Sequence, residues 1–443
     1  MFDSLATYRY QFSSLGYTLM TYQKIYAPNF HGYLTKAFDY CIDGLTDLRT
    51  CGYWRFESLC GYLKYNTDPV NDSNIMLSGW MMPPMTSYGA VSGDRRYEED
   101  GALQFHGSKK AVHAYNVKEC VELLYRQWKG EVRKFPGYLI PCEPNVAFPI
   151  CNSYGLLGLL IYDRDHGTTY SEEVLPDFYK HLTEDFTEIN GVSAPRRQYL
   201  FGLRFMPDTQ LMDIPFNDAT IAMEYAPIFP GLAKRGYAML RQNVLELNDE
   251  GVAFIKGIPW EAFSDIGTKA KNPASMISLM EMVAAEHGDY EMLKGLQKAE
   301  ERYLEKSMDP KALYYKEVSV VNMANIAYAK IAGVGDWYDT ILKDTPESAK
   351  EGPVLMECSY PEVIVAKAAS GGDDLNMVLY NGTQPGEQKL GLARLKPGQR
   401  YTLSVCTAEK EQPEISEFTA DHEGLAEVSV YLEDRTEVLV KPI

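Results

Sequence analysis

The hydrophobic periodicity of this 443-residue chain changes once, close to residue 350, and that change limits the folds that it can form. Before it, apolar residues recur three and four positions apart, as at Ile277, Met280 and Val283, which indicates amphipathic helices. The spacing predicts helices over residues 4–27, 31–48, 74–91, 112–129, 150–166, 171–188, 217–245, 274–287, 290–305 and 319–333. Because the links are short and neither strand alternation nor a fixed repeat is found, residues 1–350 are predicted to form an (α/α)6 barrel rather than a solenoid.

After Pro353 the apolar residues alternate with a period of two in short runs, which indicates β-strands. Asn381-Gly382 and Pro397-Gly398 stand between these runs and suit the tight turns of antiparallel hairpins. Residues 351–443 are therefore predicted to form a small antiparallel β-sandwich, an accessory domain of unassigned role. The predicted fold class is mainly α, with this β-domain following the helical one.

Composition excludes several classes of partner. Acidic residues outnumber basic ones 61 to 43, and a net charge of −18 argues against binding to nucleic acid or to an anionic membrane surface. No apolar run approaches the roughly 20 residues that a membrane-spanning helix needs, and the first residues lack a signal-peptide pattern, which predicts a cytoplasmic protein. The eight cysteines and seven histidines form no cluster with zinc-binding spacing, so no metal is predicted.

Two cysteines nine positions apart mark the segment of the sequence that is most suited to catalysis. Cys142 and Glu143 precede Pro144, and Cys151 follows Pro149 at the start of a predicted helix. A thiol beside a helix N-terminus feels the positive end of the helix dipole, which favours the thiolate. Two thiols and a carboxyl group in one loop can exchange protons with a substrate. The alternative interpretation is a pair of buried cysteines in a packed loop.

The segments around these cysteines resemble the linalool dehydratase/isomerase family. The strongest part of the resemblance is Cys142-Glu143-Pro144-Asn145, Cys151-Asn152-Ser153 and the run Ile161-Tyr162-Asp163-Arg164-Asp165-His166-Gly167-Thr168-Thr169-Tyr170. Weaker similarity extends to Asp68-Pro69, Asn74-Ile75-Met76, Gly79, Arg95-Arg96-Tyr97 and Asn248-Asp249-Glu250-Gly251. It covers roughly residues 7–340 and leaves out the predicted β-domain.

The resemblance implies a fold and an activity. It implies an (α/α)6 barrel and a ring-shaped homo-oligomer with active sites near subunit contacts. It also implies cofactor-free dehydration of a tertiary allylic monoterpenol to a diene, and isomerisation to the primary allylic alcohol. The substrate would be small and hydrophobic, and an apolar, aromatic-rich pocket suits a reaction that passes through cationic character.

The resemblance also assigns residues to the site. Cys142 and Cys151 match the two active-site cysteines of the family, and Glu143 lies in the same loop, where it can tune the thiols. Tyr10 matches a site tyrosine that can hydrogen-bond the hydroxyl group, with a core position as the alternative. Met76 matches a methionine that contacts the substrate, again with a core position as the alternative.

The chain departs from the family at the polar positions of the site. Trp80 stands where the family has a histidine, and Phe216 stands where it has a tyrosine. The family's acid lies on an N-terminal arm of the neighbouring subunit, and this sequence begins too late to contain it. Either the sequence is part of a longer protein, or the site is re-purposed. In a re-purposed site Asp218 is the candidate replacement acid, with helix capping as its alternative role.

Trp80 and Phe216, with Met76 and Phe148, are then predicted to contact an apolar substrate. Three functions follow. The first is a lyase or isomerase of allylic or isoprenoid alcohols. The second is a carbohydrate-active hydrolase or lyase, since helical barrels followed by β-sandwiches occur among such enzymes, and it requires two carboxylates inside the barrel. The third is a non-catalytic protein that binds a lipid or terpenoid.

Overall fold

The computed structural model describes residues 7–71, 73–133, 135–189, 191, 193–205, 213–308, 313–408 and 412–443. The part before residue 350 is mostly helical, in agreement with the periodicity of the sequence. The α-helices of the described residues are α1 (Tyr8–Ile25), α2 (Gly32–Thr46), α3 (Leu48–Cys51), α4 (Trp54–Tyr62), α5 (Ile75–Ser78), α6 (Met82–Ser92), α7 (Val117–Trp128), α8 (Pro149–His166), α9 (Tyr170–Phe186), α10 (Asp213–Glu224), α11 (Pro230–Asn243), α12 (Ala274–Glu286), α13 (Tyr290–Tyr303), α14 (Val320–Ile331), α15 (Asp336–Leu342) and α16 (Glu347–Glu351).

Short antiparallel strands link these helices, so the prediction that this part of the chain lacks strands is wrong. The strands are β1 (Leu103–Ser108), β2 (Ala111–Tyr115), β3 (Pro141–Glu143), β4 (Val146–Ala147), β5 (Arg196–Gln198), β6 (Leu203–Phe205), β7 (Leu245–Leu247), β8 (Ala253–Ile255), β9 (Lys306–Met308) and β10 (Leu313–Tyr315). Most are three residues long or shorter, which is too short for an alternating pattern to stand out from its surroundings.

Several predicted helices are divided in the structure, and proline or a capping residue marks the division. The predicted helix 74–91 separates into α5 and α6, and α6 has proline in its first turn. The predicted helix 112–129 begins as β2, because Asn116 and Glu119 form a capping box that starts α7. The predicted helix 217–245 separates into α10 and α11, and Pro230 opens α11.

The helices pack as successive antiparallel pairs around one large apolar core. The pairs are α1 with α2, α8 with α9, α10 with α11, and α12 with α13. Helix α1 also packs against α6, α14 and α15, so it lies in the middle of the helical part. The helical pairing agrees with the sequence, whereas closure of the pairs into an (α/α)6 barrel stays a prediction. No helix of the described ranges has both the length and the apolar character needed to cross a membrane.

The C-terminal part contains two antiparallel sheets. Its strands are β11 (Val354–Glu357), β12 (Val363–Ala369), β13 (Leu375–Asn381), β14 (Gly386–Ala393), β15 (Arg400–Thr407), β16 (Glu414–Thr419), β17 (Ala426–Leu432) and β18 (Arg435–Pro442). One sheet has the order β11-β14-β17, and the other has the order β12-β13-β18-β15-β16. The inward residues of both sheets share a core that also includes Ala27, Phe30 and Leu34 of the helical part. The domain boundary at residue 350 remains a prediction.

Candidate active site

Cys142 and Cys151 lie side by side in the buried centre of the helical part. Cys142 is on β3 and Cys151 is in the first turn of α8, and their Sγ atoms are 3.1 Å apart. The Asn152 side chain brings them together: its Oδ1 accepts a hydrogen bond from the Ile140 backbone N–H at 2.8 Å, and its Nδ2 donates to the Ile140 carbonyl at 2.9 Å. The loop that leads into Cys142 is thereby fixed against the start of α8.

A buried arginine supplies the positive charge next to these thiols. Arg9 of α1 is 2% exposed, and its guanidinium lies 4.1 Å from the ring centre of Tyr53 and 5.0 Å from that of Tyr10. Burial raises the pKa of the Cys142 thiol well above its ordinary value, Cys151 adds to the rise, and Arg9 opposes it. Arg9 also donates to the Met76 sulfur at 3.3 Å, which holds Met76 beside the thiol pair.

Aromatic rings cover the thiol pair on its other side. The Trp80 indole N–H donates to the Cys151 sulfur at 3.4 Å, and the Tyr17 hydroxyl donates to the Trp80 carbonyl at 2.6 Å. The Trp80 ring lies 4.2 Å from the ring of Tyr154 and 4.7 Å from that of Tyr10, between centroids. These π-faces can stabilise cationic character in a bound molecule.

Two adjoining cavities lie near these rings. The smaller, about 60 Å³, is lined by Trp80, Tyr154, Tyr17 and residues of α10, α12 and α14. The larger, about 180 Å³, is lined by Phe148, residues of α9 and α10, and the segment 193–196. Both cavities share the residues Ile150, Phe216, Thr220 and Glu224. Among the described residues that line them, neither Cys142 nor Cys151 is present.

Glu224 is the one carboxyl group among the described residues that line the two cavities. It is 3% exposed, and it accepts hydrogen bonds from the hydroxyl groups of Ser153 and Tyr154. Burial raises the pKa of Glu224 well above the ordinary range of a carboxyl group, although both hydrogen bonds lower it. The result favours the neutral acid, a state suited to proton donation.

Comparison with known proteins identifies the family of this chain. The linalool dehydratase/isomerase family matches residues 9–321, from the start of α1 to the start of α14. The chain belongs to the linalool dehydratase/isomerase family. Membership supports an enzyme of the dehydratase or isomerase type.

Two solved glycosidases show a much weaker similarity. One is Ara127N, a GH127 β-L-arabinofuranosidase from Geobacillus stearothermophilus T6, at 11% identity and a TM-score of 0.30, covering 100% of this chain and 73% of the other. The second is the GH127 β-arabinofuranosidase BT3674, at 10% identity and a TM-score of 0.29, covering 98% of this chain and 70% of the other. Similarity at this level carries no argument about substrate.

Most of the residues that the sequence singled out lie together in this family member. Tyr10, Met76, Trp80, Cys142 and Cys151 form one contiguous cluster. Phe216 lines both cavities, and Phe148 lines the larger one. The roles assigned to these residues stay predictions.

Two predicted acids lie away from the cavities. Glu143 is partly buried, and burial together with the nearby Glu57 raises its pKa. Asp218 lines a third cavity, of about 100 Å³, beside Arg235, and burial raises its pKa to about 6. Helix α10 begins at Asp213 rather than at residue 217, so Asp218 lies inside the helix and the capping alternative does not apply. Its catalytic role stays a prediction.

Sequence reasoning missed Arg9 and Glu224. Each carries a charged group on a helix face that is otherwise buried and apolar, and this pattern is the only signal that the sequence offers for them. Arg9 precedes Tyr10 directly, while Glu224 follows the apolar run Ile221-Ala222-Met223. Buried carboxyl and guanidinium groups are rare without a partner or a function, which makes such positions worth attention.

Proposed function

We propose that this protein is a cofactor-free lyase or isomerase that acts on an allylic or isoprenoid alcohol. The observation that carries the proposal is the buried thiol pair, 3.1 Å between sulfurs, covered by Trp80 next to cavities with largely apolar walls. Family membership over residues 9–321 supports the same reaction type. As in that family, we expect the helical part to close into an (α/α)6 barrel and the protein to assemble as a homo-oligomer.

The chemistry explains why such a site is built from these residues. A hydroxyl group is a poor leaving group, so the site must protonate it before the C–O bond breaks. The allylic cation that remains must be kept from bulk water, and apolar walls with π-faces do this. One thiol of the pair then serves as base or nucleophile, and the other exchanges the proton. Burial raises the pKa of the Cys142 thiol and so favours its protonated form, which suits the proton-exchanging role, and Arg9 opposes this rise only in part.

The carbohydrate alternative requires a pair of carboxylates that flank a glycosidic bond. Of the described residues that line the two cavities, Glu224 alone has a carboxyl group, so they do not supply that pair. We therefore do not carry this alternative further. The other alternative, a protein that binds a terpenoid without converting it, is tested by the experiment below.

The experiment measures turnover of a panel of allylic C10, C15 and C20 terpenols under reducing conditions, with products identified by gas chromatography–mass spectrometry. We expect a diene, an isomer or a cyclised product, and we expect Cys142→Ala and Cys151→Ala each to lower the rate by about 100-fold or more. Cys41→Ala, a buried cysteine of α2 outside the site, is the matched control. Full turnover in both site variants would contradict the assignment, and binding without turnover would indicate a carrier.

A further inference from the structure

Glu224 occupies a position that the thiol chemistry does not explain. It is the last residue of α10, and it lines both cavities. Among the described residues, no lysine, arginine or histidine forms an ion pair with it, and its carboxyl group is hydrogen-bonded by the hydroxyl groups of Ser153 and Tyr154. A buried carboxyl group without a cation is costly unless it is neutral or has a function.

Trp80 links the smaller cavity to the thiols. It lines that cavity, while its indole N–H donates to the Cys151 sulfur. Ser153, which holds Glu224, follows Cys151 by two residues on α8. Glu224 therefore borders the cavities directly, whereas the thiol pair is reached from the smaller cavity past Trp80.

We propose that Glu224, rather than a thiol of the pair, is the acid that protonates the departing hydroxyl group of the substrate, and that the same carboxylate afterwards takes a proton back, which leaves the thiol pair the role of nucleophile. This inference rests on the proposed function. The site residue is assigned from its position at both cavities and from its partners, and the neutral state that burial favours agrees with it.

In each reaction Glu224 gives up one proton and takes one back, so it ends in its starting state. The Glu224 carboxylic acid gives its proton to the hydroxyl oxygen, the C–O bond breaks with its electron pair on oxygen, and water leaves an allylic cation. For a diene, the Glu224 carboxylate removes a proton from the carbon next to the cation, and the electrons of that C–H bond form the new double bond. For an isomer, water adds at the other end of the allyl system and gives its proton to Glu224. Neither path needs a further reactant.

The surroundings of Glu224 support an acid that works in its neutral form. The titratable groups that face it are Tyr17 of α1, Cys151 and Tyr154 of α8, and its neighbour Tyr225. Tyr328 of α14 lines the smaller cavity, and Arg196 of β5 lines the larger one. Apart from the Arg196 guanidinium, which forms no ion pair with Glu224, these groups are uncharged in their ordinary protonated state. Activity should therefore be present below the pKa of Glu224 and be lost as pH rises through it.

The test compares Glu224→Gln, Glu224→Asp and Glu281→Gln with the wild type on an alcohol that the panel shows to be turned over. Glu281 is the matched control, because it is a buried acid of α12 that does not line the cavities. We expect Glu224→Gln to lower kcat by about 100-fold or more, Glu224→Asp to restore part of it, and Glu281→Gln to leave it unchanged. Wild-type kcat in Glu224→Gln, with activity still lost in Cys142→Ala, would overturn the inference and leave the proposed function intact.

A second readout does not depend on turnover. The C=O stretch of a protonated carboxylic acid, seen in the infrared difference between wild type and Glu224→Gln at pH 7, reports the state of Glu224. We expect this band to be present and to shift when a saturated C10 tertiary alcohol, which cannot form an allylic cation, is added. An ionised Glu224, or a band that the alcohol leaves unmoved, would overturn the inference even if no alcohol of the panel reacted.

Discussion

Trp80 shows how the replacement of a polar residue by an aromatic one changes what lies between the thiol pair and the smaller cavity. The family has a histidine at this position, and a histidine could exchange protons with the thiols or with a hydroxyl group. The tryptophan keeps one N–H donor, directed at Cys151 at 3.4 Å, and replaces the remaining polar surface by a large ring that packs on Tyr154 and Tyr10. That ring lines the smaller cavity and contacts Cys151, so we expect it to limit access from the cavity to the thiol pair.

At the residue scale we predict that Trp80→His exposes the thiol pair to the cavity, because imidazole is smaller than indole. A small alkylating reagent should then modify Cys142 or Cys151 about tenfold faster than in the wild type, measured by mass spectrometry of the labelled peptides. Cys60, which is exposed, is the internal control for reagent quality. Trp80→Phe, which keeps an aromatic wall, should stay near the wild-type rate. Equal labelling of the pair in wild type and Trp80→His would refute the role of Trp80 as a partition.

At the scale of elements, helix α8 has a candidate site cysteine in its first turn and charged residues that contact neighbouring helices in its last turn. Cys151 lies in its first turn, whereas Asp163, Arg164 and Asp165 lie in its last. Arg164 donates to the carbonyls of Thr340 and Ile341 at the end of α15. The end of α8 is thus fixed to a neighbouring helix. Within the run 161–170, which carries much of the family resemblance, Arg164 therefore has a structural role.

Two residues in the last turn of α8 and Glu98 form a cluster of metal-ligand residue types, and an arginine side chain occupies it. Glu98, Asp165 and His166 place their ligand atoms within 4.8 Å of one another. The Arg95 guanidinium lies among them, 2.6 Å from Glu98 and 2.8 Å from Asp165. Gly167 ends the helix in the left-handed conformation that glycine favours.

Asp163, in the last turn of α8, allows a test of how this helix end supports the neighbouring helix α9. Its carboxylate accepts hydrogen bonds from the backbone N–H groups of Tyr170 at 3.1 Å and Ser171 at 2.6 Å, and so caps α9 from the end of α8. Asp163→Ala leaves these groups unsatisfied, and we expect it to lower the free energy of unfolding by about 1–3 kcal/mol, measured by urea denaturation. Asp177→Ala, an exposed aspartate on α9, should change it by less than about 0.5 kcal/mol. Equal losses in both variants would contradict the capping role.

At the scale of the whole molecule, one buried asparagine joins the helical part to the sandwich. Asn29 is fully buried; its Nδ2 donates to the carbonyls of Ala349 at 2.8 Å and Pro353 at 3.1 Å, and its Oδ1 accepts from the Ser370 N–H at 2.9 Å. Phe30, the next residue, forms a parallel bridge with Leu355. The turn between α1 and α2 therefore belongs to the core of both parts.

We predict that Asn29→Ala weakens this junction, because it leaves three buried backbone groups without a partner. The expected loss is about 3 kcal/mol in the free energy of unfolding, seen by calorimetry as a lower midpoint. Asn376→Ala, at an exposed position of β13, is the control and should behave like the wild type. A wild-type midpoint in Asn29→Ala would show that the junction depends on the apolar contacts of Phe30 and Leu34 alone.

Much of the fold could be predicted from short-range patterns. Helical periodicity in the first 350 residues and strand alternation after Pro353 both depend on neighbours in sequence, and the structure agrees with each. The family could be predicted as well, because its motifs are local. Element boundaries failed where prolines and the capping box of Asn116 interrupt an apolar pattern, since these change the backbone without changing the periodicity.

The sequence by itself determined the classes of element, the family and the two cysteines of the site. The tertiary structure decided which groups surround them. Ser153 and Glu224 are 71 positions apart, and Arg9 and Met76 are 67 apart, yet each pair is in contact. Spacing along the chain carries no record of such pairs, because they form only when buried helix faces pack together and each buried charge or hydroxyl must find a partner. For that reason Asp218 was the acid that the sequence suggested, and Glu224 is the acid that the fold brings to the cavities.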